Sequence, residues 1–304
     1  MQKKDFLGIF DLPKKELEYL LNQTPIYKEI LARPIKKVPV LRGKTIVTLF
    51  YEPSTRTRMS FELAGKRLSA DMSNIAVSSS AVAKGENLKD TVRTIEAMGV
   101  DAIIIRHSQA GAPHLAALNT KASVINAGDG THEHPTQTLL DLYTIMEKKE
   151  KIKGLHVGIV GDIAHSRVAK SDIYGFKKLG AKVTLIAPPT LLPAEVDKFG
   201  VDVSYNLDKV LPELDVLYIL RLQLERQAKG LFPSLLEYIK LYGVHKDRLK
   251  KCKDDILVMH PGPMNIGVEI SEEVATCVSS GVIEQVSNGV AVRMALLNHL
   301  LGGN

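Results

Sequence analysis

Short apolar runs punctuate the chain, each followed by polar or turn residues and then by a helical pattern. The runs lie at 45–50 (TIVTLF), 101–105 (DAIII), 123–126 (SVIN), 155–160 (LHVGIV), 183–187 (VTLIA), 215–220 (DVLYIL) and 255–259 (DILVM). Most are rich in β-branched residues, and none alternates strictly between apolar and polar. That pattern predicts strands buried on both faces of a parallel sheet. Between them, Leu88, Val92, Ile95 and Met98 recur at helical spacing before Gly99, and Pro135 opens a second helical stretch, PTQTLLDLYTIMEKK. The βαβ order predicts an α/β protein with two doubly wound parallel-sheet domains.

A length of 304 residues fits two domains. The charged stretch at 147–151 (EKKEK), just before a new strand and glycine turn, marks the boundary. The expectation is a first domain over 1–149 and a second over 150–288. The apolar helix at 289–304 either completes the second domain or crosses back to the first.

Composition narrows the class. With 45% hydrophobic and 24% charged residues, the chain is neither disordered, collagen-like nor a coiled coil. The two cysteines, Cys252 and Cys277, make no disulfide scaffold and no Cys-based zinc site. There is no signal-peptide pattern and no apolar run near the ~20 residues of a membrane span, so the expected location is cytoplasmic. The net charge of +6 fits either a lysine-rich solvated surface or anionic partners. The absence of Trp argues against base-stacking surfaces for nucleic acid.

Ligands of open α/β sheets bind beyond the carboxyl ends of the strands. After the first run comes Pro53-Ser54-Thr55-Arg56-Thr57-Arg58, after DAIII comes Arg106, and after SVINAG comes a loop ending in His134-Pro135-Thr136-Gln137. After LHVGIV comes Gly161-Asp162 with Arg167 beyond, after DVLYIL come Arg221 and Gln223, and after DILVM comes His260-Pro261-Gly262-Pro263. The Ser54–Arg58 segment combines hydroxyls, a guanidinium fork and a helix N-terminus, the chemistry of a phosphate site. Ser54 is also expected to cap that helix. Read alone, His134 would be a loop histidine, and Lys84, in the small-residue stretch SSSAVAKGE, a solvated lysine.

Three other motifs fail. Gly158-Ile159-Val160-Gly161 lacks the G-x-G-x-x-G spacing of a dinucleotide loop. Gly43-Lys44-Thr45 precedes a strand instead of following one. His132 and His134 could share a metal, but no third ligand stands out.

The segment FYEPSTRTR at 50–58, the HPTQ at 134–137 and the arginine series resemble the aspartate/ornithine carbamoyltransferase family over essentially the whole chain. Leu220-Arg221-Leu222-Gln223-Leu224-Glu225-Arg226, Lys84-Gly85-Glu86 and His260-Pro261-Gly262-Pro263 resemble the aspartate-using catalytic chains within it. The resemblance implies a carbamoyl-phosphate domain, an aspartate domain, an active site in the cleft between them and a C-terminal helix packed on the first. It implies transfer of the carbamoyl group from carbamoyl phosphate to L-aspartate, early in pyrimidine biosynthesis, without cofactor or metal. Ser54, Thr55, Arg56 and Thr57 would hold phosphate, and Arg106 phosphate and the carbonyl oxygen. His134 would donate to that oxygen, while Gln137 and the Pro261 carbonyl, on the turn with Gly262 and Pro263, would meet the carbamoyl amide. Arg167 and Arg221 would clamp aspartate with Gln223 nearby. Ser80 and Lys84 would come from a neighbouring subunit of a homotrimer. The family includes bare trimers, trimers with regulatory chains and assemblies with dihydroorotase, which are therefore candidate partners. An ornithine acceptor, a non-catalytic anion-binding protein and a metal-dependent hydrolase on His132 and His134 remain as alternatives.

Overall fold

The computed structural model describes residues 4–76, 86–223, 231 and 234–303. Contacts group these into two compact units. One runs to Tyr143 and resumes at Val286; the other is Thr144–Gln285.

The first unit is built on a parallel sheet of order β2-β1-β3-β4, with β1 Thr45–Phe50, β2 Asp71–Ala76, β3 Ala102–His107 and β4 Ser123–Asp129. Its helices are α1 Lys14–Ala32, α2 Thr55–Arg67, α3 Leu88–Ala97, α4 Ala112–Ala117 and the start of α5 Pro135–Lys149. Alternate positions Val47 and Leu49, Ile103 and Ile105, and Val124 form one core with Val92 and Ile95 of α3 and Ala116 of α4. Each of the Val, Leu and Ile side chains contributes roughly 1.5–3 kcal/mol when fully buried. Ile46, Ile104 and Ile125, on the opposite face, are buried as well, which is why these strands read as unbroken apolar runs.

The second unit has a parallel sheet of order β7-β6-β5-β8-β9, with β5 His156–Val160, β6 Lys182–Ile186, β7 Asp202–Ser204, β8 Val216–Ile219 and β9 Leu257–Met259. Its helices are α6 Arg167–Lys178, α7 Leu207–Val210, α8 Leu235–Tyr242, α9 Lys246–Leu249 and α10 Glu272–Ala275. Ser166 caps α6 by accepting from the Ala169 N–H at 3.1 Å, and Ala169, Ile173 and Phe176 form its buried stripe.

The last helix, α11 Val282–Leu301, starts earlier than the apolar pattern predicts. Its later residues belong to the first unit: Arg293 reaches Ser60 of α2, and His299 lies 3.2 Å from Glu16 of α1.

Two strands escape the sequence pattern. Both β2 (DMSNIA) and β7 (DVS) are sheet edges with exposed or half-exposed residues, so neither needs an apolar run. β3 also extends past its expected end to His107, because its ladder with β1 continues to the Phe50–Arg106 pair and its ladder with β4 to the His107–Asp129 pair. Among the described residues no helix is long and apolar enough to cross a membrane.

Candidate active site

In the first unit the strand order reverses between β1 and β3, the point at which open α/β sheets bind ligands. Arg106 sits there, in register with Phe50, and its backbone carbonyl accepts from the Tyr51 N–H at 2.9 Å. That bond fixes the start of the loop leading to α2. Thr55, Arg56 and Thr57 are the first three residues of that helix, whose leading N–H groups have no intrahelical acceptor. Thr57 is buried, Ser54 half-buried, and Thr55 and Arg56 exposed. Ser54 stands at the cap position but makes no side-chain cap hydrogen bond, contrary to expectation. Its extended backbone (φ −161°, ψ 95°) starts the helix without the hydroxyl.

The Arg106 guanidinium lies 3.5 Å from Glu52 Oε2 and 3.5 Å from the Ala127 carbonyl. It thus links the ends of β1, β3 and β4. Next to it, burial pushes the His107 imidazole below its ordinary range against the pull of Glu52 and Asp129.

β4 ends in Asp129, a fully buried carboxylate that organises the following loop. It accepts from the Gly111 N–H at 2.7 Å, Asn126 Nδ2 at 2.9 Å, His132 Nδ1 at 3.0 Å and the Glu133 N–H at 3.1 Å. Gly130 turns the loop with φ +48°, and a Cβ there would meet the Ala110 nitrogen at 2.7 Å. Glu133 accepts from the Ile9 and Phe10 N–H groups. The buried His134 immediately precedes α5, its carbonyl accepting the helix's first hydrogen bond from Gln137 N–H at 3.0 Å. His132 is therefore bound to Asp129. Among the described residues no group of three His, Cys, Asp or Glu side chains could hold a metal ion.

The second unit reverses its strand order between β5 and β8, where Val160 pairs with Ile219. Gly161 follows β5 with φ +123°, and a Cβ there would lie 2.9 Å from the Leu220 carbonyl. The next residue, the buried Asp162, accepts from His165 Nδ1 at 2.7 Å and from the Gln223 N–H at 3.3 Å. It therefore ties the loop before Arg167 to the segment after Arg221. Arg167 is the first residue of α6 and is buried. The Arg221 Nε donates to Asn265 Oδ1 at 3.4 Å, and Asn265 Nδ2 donates to the Leu222 carbonyl at 3.1 Å. The Asn265 N–H in turn meets Glu269 Oε1 at 2.5 Å, and Glu269 lies 3.4 Å from His260 Nε2. The Gly262 N–H donates to His260 Nδ1 at 2.8 Å, which shapes the turn carrying Pro261, Gly262 and Pro263.

The expected residues thus fall into two sets. Ser54, Thr55, Arg56, Thr57, Arg106, His134 and Gln137 gather at adjoining strand ends of the first unit. Arg167, Arg221, Gln223 and Pro261–Gly262–Pro263 belong to the second. Ser80 and Lys84 lie outside the described residues.

Residues 4–147 match the family model described as the aspartate/ornithine carbamoyltransferase carbamoyl-P binding domain. Residues 153–300 match the Asp/Orn binding domain of the same family. The chain belongs to the aspartate/ornithine carbamoyltransferase family. The aspartate carbamoyltransferase catalytic subunit of Heliobacterium modesticaldum is 57% identical over 303 residues, covering 100% of this chain and 97% of that protein. The catalytic subunit from Moorella thermoacetica is also 57% identical, over 100% of this chain and 99% of its own. Among solved structures, aspartate transcarbamoylase from Trypanosoma cruzi in complex with carbamoyl phosphate and aspartate superposes with a TM-score of 0.90 at 29% identity, covering 99% of this chain and 98% of that one.

This carbamoyltransferase-family chain also carries supporting residues that the sequence reading missed. Asp141 of α5 is fully buried and accepts from Gln137 Nε2. Arg293 of α11, also buried, donates to Ser60 Oγ at 2.9 Å, the Gly289 carbonyl at 3.1 Å and Thr136 Oγ1 at 3.4 Å, and stacks 4.9 Å from the Phe61 ring centre. Burial pushes its guanidinium down to about 10, opposed by the Asp141 charge. Both are single charges in apolar helical stretches, LLDLYTIM and VAVRMALL. That is the signal that could have found them, since a buried charge needs a partner.

Proposed function

We propose that this protein transfers the carbamoyl group of carbamoyl phosphate to the amine of L-aspartate, giving N-carbamoyl-L-aspartate and phosphate. The observation that carries this reading is the full-length identity to aspartate carbamoyltransferase catalytic subunits. The strand-end arginines of both units support it, because the substrates together bring a phosphate and two carboxylates.

In this reading the first turn of α2, with the hydroxyls of Ser54, Thr55 and Thr57 and the Arg56 guanidinium, takes the phosphate. Arg106 bridges phosphate and carbonyl oxygen, and His134 donates to the same oxygen. Gln137 accepts from the carbamoyl NH2 and the Pro261 carbonyl serves that group too, on the turn with Gly262 and Pro263. Arg167 and Arg221 each take a carboxylate of aspartate, with Gln223 beside Arg221. The neutral amine attacks the carbonyl carbon and negative charge builds on the oxygen. Fixed donors there are typically worth ~2.7–4 kcal/mol each. Collapse of the tetrahedral intermediate breaks the C–O bond to phosphate, and the departing phosphate takes the amine proton. No covalent intermediate with the protein is required.

The test is an acceptor panel: carbamoyl phosphate with aspartate, ornithine or no amine, following phosphate and carbamoylated product. Carbamoyl-aspartate is the expected product. Carbamoyl-ornithine would overturn the acceptor assignment, and phosphate release without any amine dependence would overturn the transfer. Arg221→Ala should raise the aspartate KM by about 100-fold or more, since a charge-assisted pair contributes about 1.5–3 kcal/mol and leaves its partner desolvated when lost. An unchanged aspartate KM would refute the carboxylate role.

The working unit in this reading is a cytoplasmic homotrimer in which Ser80 and Lys84 serve a neighbouring subunit's site. Its support is the Lys84-Gly85-Glu86 segment and the family's habit of assembly. Mixed trimers of Arg56→Ala and Lys84→Ala chains should regain activity that neither parent has, because some sites then receive both intact residues. Confirmed mixed trimers without recovery would place each site within one chain.

A further inference from the structure

Gln137 and Asp141 stand one turn apart on α5, on the same face of the helix. The Gln137 Nε2 lies 3.1 Å from Asp141 Oδ1 and 3.3 Å from Oδ2. Both residues are buried, Asp141 completely. An amide can ordinarily present either its oxygen or its nitrogen, but an ionised carboxylate only accepts. Asp141 therefore draws the NH2 of Gln137 toward itself and leaves the Gln137 oxygen on the opposite side. The opposite charge comes from α11, where the buried Arg293 is held by Ser60, Gly289 and the Thr136 that directly precedes Gln137, and feels the Asp141 charge.

We propose that Asp141 is a positioning residue that sets the donor specificity of the site. It locks Gln137 as a hydrogen-bond acceptor, so that the site favours a transferred group bearing an NH2 over one bearing a methyl group. This rests on the proposed function, in which Gln137 meets the carbamoyl amide. Arg293 acts one step further out, as the counter-charge that keeps Asp141 an acceptor. A neutral Asn at 141 could offer either face of its own amide, so Gln137 would no longer have a single preferred orientation.

The test compares two donors, carbamoyl phosphate and acetyl phosphate, each with L-aspartate, by kcat/KM in the full-length protein. Acetyl phosphate carries a methyl group where carbamoyl phosphate carries NH2, so it has no hydrogen to give Gln137. The variants are Asp141→Asn and the double variant Asp141→Asn/Arg293→Met. The second removes both buried charges together, leaves neither uncompensated, and carries the test if the single variant does not fold. In both, the ratio of carbamoyl to acetyl transfer should fall about tenfold from the wild-type ratio, the scale of one hydrogen bond. A merely structural role would lower both donors alike, and an unchanged ratio in folded variants overturns the inference. The wild-type arm separates the two layers. If it makes no carbamoyl-aspartate, the functional reading falls and the inference with it; if it does, only the ratio in the variants decides the role of Asp141.

Discussion

Replacing Arg106 with alanine should lower kcat by about a thousandfold while leaving the protein folded. The position explains both parts. Arg106 lies where the ladder of β1 and β3 ends, at the strand reversal and beside the loop that enters α2. In the proposed mechanism its guanidinium serves the phosphate and the developing oxyanion together. Loss of one oxyanion donor alone costs about 10²–10³ in turnover, and the phosphate contact adds to that. The fold loses only part of its stability, about 1–3 kcal/mol, because the side chain's charged partner, Glu52 at 3.5 Å, is about one-fifth exposed and can turn to water once the guanidinium is gone. Arg106→Lys should recover only a small part of the loss, since an ammonium keeps the charge but cannot span two acceptors as a planar fork does. Steady-state kinetics with a thermal melt of each variant checks this. A folded Arg106→Ala protein with near-normal kcat would remove Arg106 from the mechanism.

The buried strands were legible because they are covered on both faces and so stand out as apolar runs. The two edge strands were not, since β2 and β7 leave much of their surface to solvent and carry polar residues there. The strand-end arginines were legible as a set because parallel α/β folds send their strand ends to one edge. What supports them was not. Asp141 meets Gln137 within one helical turn, but Arg293 meets Ser60 across a sequence separation of 233 residues, which local spacing does not reveal. The cap position of Ser54 was legible, whereas the absence of its cap bond is a matter of side-chain geometry.

The two units also build their loops alike. Asp129 and Asp162 are both fully buried carboxylates at the end of a strand, and each accepts from the ring of a histidine three residues later. In both, a glycine of positive φ lies next to the aspartate, Gly130 after Asp129 and Gly161 before Asp162. A short loop that must present a cation or an imidazole at a fixed place has few backbone bonds of its own. A buried carboxylate supplies several acceptors at one point and makes the loop rigid.

That rigidity makes Asp129→Ala the substitution with the largest expected effect on stability, about 3–5 kcal/mol. It strips an acceptor from the Gly111 and Glu133 N–H groups, Asn126 Nδ2 and His132 Nδ1 at once. Hydrogen bonds to a charged group contribute about 1.5–3 kcal/mol each, and the effects of neighbours in one network do not add. Activity should fall with stability even where the variant remains folded, because His134 lies at the end of the loop that Asp129 holds. Acid should act in the same direction. Burial alone would raise the Asp129 carboxyl, but His132, Asn126 and the Gly111 N–H outweigh it and hold the group below its ordinary value. A group whose folded value lies below its unfolded one stabilises the protein above about pH 4 and loses that contribution as the pH falls through the folded value. Asp129→Asn keeps the shape without the charge, so its stability should fall less steeply than the wild type's below pH 4. Urea unfolding from pH 7 down to 3 measures both effects. If Asp129→Ala unfolds within about 1 kcal/mol of the wild type at pH 7, the loop is held by its backbone and not by this carboxylate.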